Sequence, residues 1–483
     1  MPSQKINSLQ AVVSNAAFKA NFKSNMEVIH NLKEGRSLQY VIQNNLIDSK
    51  KRILFATIPA DGHFNPLTPL AAYLKEQGND VRWYTSTTYA EKLAKLNIRH
   101  YPLKKAFDIN GRNVDETFPE RKKIKGLVKK LNFDMINGYV LRSTEYYEDI
   151  KDIHSIFPFD IVVCDSAFIA LPLIKRLLKV PVIAIGVFPL VETSKDLAPA
   201  GLGITPSKTF AGKIKQDLLR FVVDKILFGK PTKMMRALLK PHGIKMNGSN
   251  IFDLIVREST LLLQIGTPGF EYKRSDLGNN IRFIGALLPH VSNNKAWHHP
   301  KLLQYRKILL VTQGTVEKDI SKLIIPVLTA FRNSEYLVIV TTGGSHTKEL
   351  REAFNYDNII IEDFIPFSEI MPLADVYITN GGYGGVMLSI TNKLPMVVAG
   401  IHEGKGEINA RVGYFNVGVN LHTEKPGPEQ LKAAVEKVML EKTYRHNIEV
   451  LSKELEKYNS TELCASYIYD ALNKQCKTIF LSS

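Results

Sequence analysis

Apolar and polar positions fall into blocks along most of this chain, and the blocks switch between a strand-like and a helical period. Arg52-Ile53-Leu54-Phe55-Ala56-Thr57-Ile58 is a short unbroken apolar run, the pattern of a strand buried on both faces. The loop Pro59–Pro66 follows, and Leu67–Gln77 reads as an amphipathic helix with Asn65 and Pro66 suited to its start and Gly78 to its stop. Strand Val81–Thr85, helix Tyr89–Leu96 and strand Ile98–Pro102 continue the series. This β-α-β-α-β order predicts a parallel sheet with right-handed crossovers. After a basic helical stretch, 103–155, come strand Phe159–Asp165, helix 167–178 and strand Val180–Ile185. The segment 194–250 breaks the alternation with Pro199, Gly201, Gly203 and Pro206, and such an insertion above strand ends is where an acceptor pocket is expected. Leu261–Ile265 and Ile281–Ile284 read as the last strands of this lobe.

From Lys307 the alternation starts afresh, with strands Lys307–Thr312, Tyr336–Thr341 and Asp357–Glu362, the turn Gln313–Thr315 and a helix over 319–332. The richest stretch is Asp375–Arg411. There strand Val376–Thr379 ends in Gly381, Gly382, Gly384 and Gly385, a helix over 386–392 leads to strand Pro395–Ala399, and a polar loop carries His402, Glu403, Lys405, Glu407 and Asn409. A glycine turn at a helix N-terminus lets a ligand approach the backbone, and a phosphate is its usual occupant. The competing reading is a turn that merely packs closely on its neighbour. Helices over 428–440, 445–458 and 461–473 close the chain.

The expected organisation is an α/β chain of two doubly wound, Rossmann-like lobes with an interlobe cleft. Residues 1–50 form a helical extension, 51–288 the N-terminal lobe, 289–300 a linker, 301–460 the C-terminal lobe, and 461–483 a helix returning to the first lobe. At 483 residues the chain exceeds a single ordinary core. Forty-five per cent hydrophobic and 23% charged residues exclude disordered and fibrous classes. Charges interrupt every long apolar run, so no membrane-spanning helix is expected, and the N-terminus shows no secretory pattern. Cys164, Cys464 and Cys476 form no framework, in keeping with a cytoplasmic setting.

The formal charge of +16 points to anionic partners, yet no nucleic-acid motif accompanies it. Much of the excess lies between Lys208 and Lys245, where ten Lys/Arg face only Asp217 and Asp224 and are interleaved with apolar residues. That pattern fits either a solvated cationic helix face or peripheral contact with an anionic membrane surface.

His63 follows the first strand behind Gly62, and Asp165 ends another strand of the same sheet, so the two can meet across 102 positions. A carboxylate would fix the imidazole tautomer and leave its far nitrogen to take a proton from a hydroxyl. The Gly62–Pro66 loop, Asp165, the Val311–Thr315 turn, Phe364-Ile365-Pro366 and the Thr379–Val412 block resemble, in this order, the nucleotide-sugar-dependent glycosyltransferases of family 1, with the macrolide glycosyltransferases as nearest relatives. The resemblance covers roughly 51–475. It implies a GT-B fold with 51–288 as the acceptor-binding lobe and 301–460 as the nucleotide-sugar-binding lobe, an inverting hexosyl transfer from a UDP-sugar to an apolar small molecule, His63 as base, Asp165 as its partner, and neither metal nor other cofactor. On the donor side it implies uracil over Phe364, diphosphate near Thr315, Asn380, Gly382, Gly384 and Gly385, and sugar hydroxyls near Glu403, Lys405 and Glu407. Asn380 stands where the family has a histidine, Leu388 where it has a ribose-binding glutamate, and the family's Asp-Gln pair is absent as such. A donor site decayed into a nucleotide-sugar sensor, or a transferase acting on a membrane lipid, are the alternatives.

Overall fold

The unbroken apolar runs become two all-parallel sheets in a computed structural model that describes residues 50–482 except 109–113, 247, 249, 289–296, 315–316 and 403. The first 49 residues, most of the expected linker, Thr315 and Glu403 lie outside the described residues. The first sheet contains β1 (Arg52–Ala56), β2 (Asp80–Thr85), β3 (Arg99–Pro102), β4 (Ile161–Asp165), β5 (Val182–Gly186), β6 (Leu261–Gln264) and β7 (Ile281–Phe283), in the order β3-β2-β1-β4-β5-β6-β7. The second contains β8 (Lys307–Thr312), β9 (Tyr336–Thr341), β10 (Ile359–Glu362), β11 (Val376–Thr379), β12 (Met396–Val398) and β13 (Gly418–Asn420), in the order β10-β9-β8-β11-β12-β13. Every residue of β4, β5 and β11 is buried, as strands covered by helices on both faces must be.

In each sheet the strand order reverses once, between β1 and β4 and between β8 and β11. Loops leaving strands on either side of such a reversal diverge and open a crevice at the carboxyl ends. The pairs Ala56↔Cys164 and Thr379↔Thr312 stand at those two crevices. Apolar packing is continuous from one lobe to the other through Ile265, Phe270, Tyr383 and Met387. Helix Ser460–Ser482 crosses to the first lobe, where the Tyr469 hydroxyl accepts a hydrogen bond from the Asn79 amide at 2.8 Å and Gln475 donates to the Lys179 carbonyl at 2.8 Å.

Three local readings of the sequence are corrected. Residues 59–66 are not an open loop: Asp61–Phe64 is a helical turn and Asn65–Leu67 a 3-10 turn before helix Thr68–Glu76. The Phe64 ring stacks on Tyr89 at 4.2 Å and packs on Trp83, which draws the turn onto the sheet. The glycine-cluster helix begins at Tyr383, so Gly384 and Gly385 belong to its first turn. Glycine costs little there, since first-turn N–H groups have no intrahelical partner to lose. The polar "loop" after β12 is largely the helix Lys405–Tyr414, entered through Gly404 in left-handed conformation, and β13 behind it was too short to be legible.

Candidate active site

His63, on the helical turn beyond β1, and Asp165, the last residue of β4, meet across the first crevice. His63 Nδ1 lies 2.8 Å from Asp165 Oδ1. Asp165 is fully buried. Its Oδ2 accepts from the Ile58 amide at 2.9 Å and its Oδ1 also accepts from the Ala167 amide at 2.8 Å. Two backbone amides already donate to this carboxylate, so its oxygens serve as acceptors; a neutral His63 paired to it donates from Nδ1, which makes Nε2 the acceptor facing the crevice. Burial first, and then the charge of Asp165, push the phenols of Tyr139 and Tyr146 up, which keeps these neighbours neutral. Phe188, beyond β5, meets the imidazole edge-on at 5.9 Å and restricts its rotation.

At the second crevice, Asn380 follows β11 and Gln313 follows β8. The Asn380 side chain is buried and spends one N–H on the Gln313 carbonyl, which leaves it a second hydrogen. Gln313 in turn accepts from the Leu323 and Ile324 amides at 3.2 and 3.3 Å and donates to the Asp319 carbonyl at 2.7 Å. Gly381 has φ +89°, and a Cβ there would run into the side-chain oxygen of Asn409. Gly381→Ala is therefore expected to cost about 2–3 kcal/mol through backbone strain and overpacking, visible as a lower melting midpoint in calorimetry. Gly382 and Gly384 face open space where a side chain would stand, whereas a Cβ on Gly385 would approach the Tyr377 hydroxyl to 3.0 Å. The first two thus border the crevice and the third serves packing. Helix Tyr383–Thr391 points its N-terminus at this space.

Phe364, beyond β10, is 73% exposed. Its loop is fastened to the one after β9, since Gly343 N donates to the Asp363 carbonyl at 2.9 Å and Thr347 Oγ1 donates to the Asp363 carboxylate. The ring is a bare, fixed platform of the kind on which a base stacks.

The helix that replaces the expected loop redistributes the remaining candidates. Asn409 is fully buried and ties the two glycine loops by donating to the Gly400 carbonyl at 2.8 Å and the Asn380 carbonyl at 3.3 Å. Glu407 is turned toward the other lobe, away from a sugar-binding role: Oε1 accepts from Gly201 and Gly203 amides at 2.9 and 2.8 Å, and Oε2 meets Arg411 Nη1 at 3.0 Å. Lys405 stands at the start of this helix, beside Gly400. The backbone before it is pinned by Glu424, which accepts from the Ile401 and His402 amides at 2.5 and 2.8 Å. Burial raises the Glu424 carboxyl, but those two amides outweigh it and hold it below the usual range.

The residue that joins the lobes lies outside the candidates read from local pattern. Arg411 is 2% exposed, and its Nη2 donates to Glu271 of the first lobe at 2.6 Å while its guanidinium covers the Tyr272 ring at 4.2 Å. Burial disfavours the Arg411 charge, yet the adjacent Glu271 carboxylate pushes its pKa up. An arginine among Ile408, Ala410 and Val412 was the only available signal.

Known proteins share this architecture. Residues 280–458 match the family model described as UDP-glucoronosyl and UDP-glucosyl transferase. Over 401 residues the chain is 31% identical to the 4'-demethylrebeccamycin synthase of Lentzea aerocolonigenes, covering 82% of this chain and 93% of that protein. The chain belongs to the UDP-glycosyltransferase family. UDP-glucosyltransferase 1 of Beauveria bassiana is 28% identical over 446 residues, 87% of this chain and 95% of that one. Among solved structures, the calicheamicin glycosyltransferase CalG4 superposes with a TM-score of 0.68 at 18% identity, over 88% of this chain and 98% of its own. The fold is GT-B, and the protein is a nucleotide-sugar glycosyltransferase. Among the described residues, no group of three or more His, Cys, Asp or Glu is placed to hold a metal, and no helix is long and apolar enough to cross a membrane.

Proposed function

We propose that the protein is an inverting hexosyltransferase that moves glucose from UDP-glucose to a hydroxyl of an apolar small molecule. His63 Nε2 takes the hydroxyl proton as the acceptor oxygen attacks the anomeric carbon. The bond from that carbon to the diphosphate oxygen breaks, and UDP leaves with the electron pair. A single attack opposite the leaving group inverts the centre. The observation that carries this reading is the 2.8 Å contact from His63 Nδ1 to a buried carboxylate already holding two amides. That arrangement costs desolvation and repays it by fixing one tautomer.

Uracil stacks on Phe364, and the amides of Gly382 and Gly384, the free hydrogen of Asn380 and the helix dipole meet the charge that grows on the departing diphosphate. Thr315, three positions after β8 in the sequence, is a further candidate for that set through its hydroxyl. Glu403 and Lys405 are the candidates for sugar hydroxyls, and Glu407 is left out because its oxygens serve the lobe contact. The scheme asks for no metal, and a cytoplasmic setting is part of the proposal. The acceptor class is proposed from the family resemblance, and the Lentzea aerocolonigenes relative is named as a 4'-demethylrebeccamycin synthase. The test is incubation of UDP-glucose with a panel of phenols, polyketides and terpenoid alcohols. A β-linked glucoside from the α-linked donor, identified by mass spectrometry and proton NMR, is the expected product. An α-linked product, or hydrolysis with every acceptor, would overturn the scheme.

A further inference from the structure

The outward face of helix Phe210–Val222 is apolar. Phe210, Ile214, Leu218 and Phe221 are 81%, 52%, 62% and 61% exposed. Spacings of four, four and three gather them within about 80° of arc on one side of the helix. The opposite side holds the helix to the lobe: Gln216 is buried and donates to the Thr205 carbonyl at 3.1 Å, Arg220 donates to the Leu197 carbonyl, and Val223 is buried. The usual polarity of a surface helix is thereby reversed, with polar anchors inward and hydrocarbon outward. Ile226, 56% exposed in the following turn, lengthens the stripe.

Exposed Lys213, Lys215, Lys225, Lys230 and Lys233 surround it. The two acids of the segment are already engaged, Asp217 with Arg220 and Asp224 with the Asn250 amide at 2.8 Å. The charge decides the occupant. Residues 1–49 carry Lys5, Lys19, Lys23, Lys33 and Arg36 against Glu27, Glu34 and Asp48, a net positive segment that a cationic face repels. A second copy docked through the same face would set like charge against like charge. An anionic lipid surface satisfies both halves of the pattern, hydrocarbon for the stripe and phosphate for the lysines.

We propose that this protein docks on anionic bilayers through helix Phe210–Val222, with Phe210, Ile214, Leu218 and Phe221 at the acyl boundary and the flanking lysines among the headgroups. The full-length protein is sedimented with phosphatidylcholine vesicles with and without phosphatidylglycerol, at low and high salt. Binding is expected to the anionic vesicles only and to weaken with salt. The triple variant Phe210→Ser, Leu218→Ser, Phe221→Ser should bind roughly tenfold or more weakly, and Lys213→Glu with Lys215→Glu should weaken it too. All replaced side chains are exposed, so an unchanged circular dichroism melt keeps the comparison clean. The proposal falls if the wild type ignores anionic vesicles, or if the triple variant binds as the wild type does. It falls equally if the triple variant converts a wild-type dimer to a monomer in light scattering, since a second copy would then own this face.

Discussion

Replacing His63 by alanine is expected to lower kcat by roughly 10²–10⁴-fold, the range of a positioned general base, while leaving UDP affinity unchanged. The imidazole stands at the β1–β4 crevice, whereas the glycine turn and Phe364 belong to the other sheet, so its loss removes a proton acceptor and no donor contact. Product formation by mass spectrometry and UDP binding by calorimetry separate the two quantities. Asp165→Asn should fall toward the same rate. Its amide would present hydrogens to the Ile58 or Ala167 amide and release the imidazole from its tautomer. Because the two residues act as one unit, the double replacement should be little worse than His63→Ala alone. Wild-type turnover by His63→Ala would remove this residue from the mechanism.

Arg411→Met is expected to destabilise the protein by about 3–5 kcal/mol, the cost of breaking a buried ion pair from one side. Methionine keeps much of the stem's volume, so the loss reports the charge. It takes the nearest cation from Glu271, 7% exposed, which keeps only the Leu190 and Tyr272 amides at 3.3 and 2.9 Å and the more distant Arg274, and it takes one partner from Glu407. Arg274 is a weak substitute, 3.5 Å from Glu271 and itself pushed down by burial. Since Glu407 also holds the Gly201 and Gly203 amides, the same change should loosen the lobe junction and raise protease sensitivity near residues 194–206. Adding Glu271→Gln should recover part of the stability, as the unpaired charge is then gone. Urea unfolding of the four proteins in the cycle measures this directly. An unaltered unfolding curve for Arg411→Met would show that this ion pair does not hold the lobes together.

The strands of this protein were legible because a parallel strand covered on both faces must be a short apolar run, and β1, β4, β8 and β11 are such runs. The His63–Asp165 pairing was legible for a related reason. Each residue ends or follows a strand of the same sheet, and topology brings adjacent carboxyl ends together. Helix Lys405–Tyr414 was misread because Gly404 and Gly406 signal a loop, and its helical period is hidden by the buried polar residues Asn409 and Arg411.

The amino-acid sequence by itself therefore determined the two-lobed α/β layout, the strand ends that meet at the two crevices and the residues offered there, since these follow from local hydrophobic periodicity and chain order. Only the tertiary structure decided which polar side chains are left for a ligand. It committed Glu407 and Asn409 to structural contacts, joined the lobes through Arg411 and Glu271, and left the hydrocarbon of Phe210, Ile214, Leu218 and Phe221 bare. The physical reason is that hydrogen bonding and burial depend on partners brought together by the fold, such as Glu407 and Gly201 across 206 positions, which no local pattern encodes.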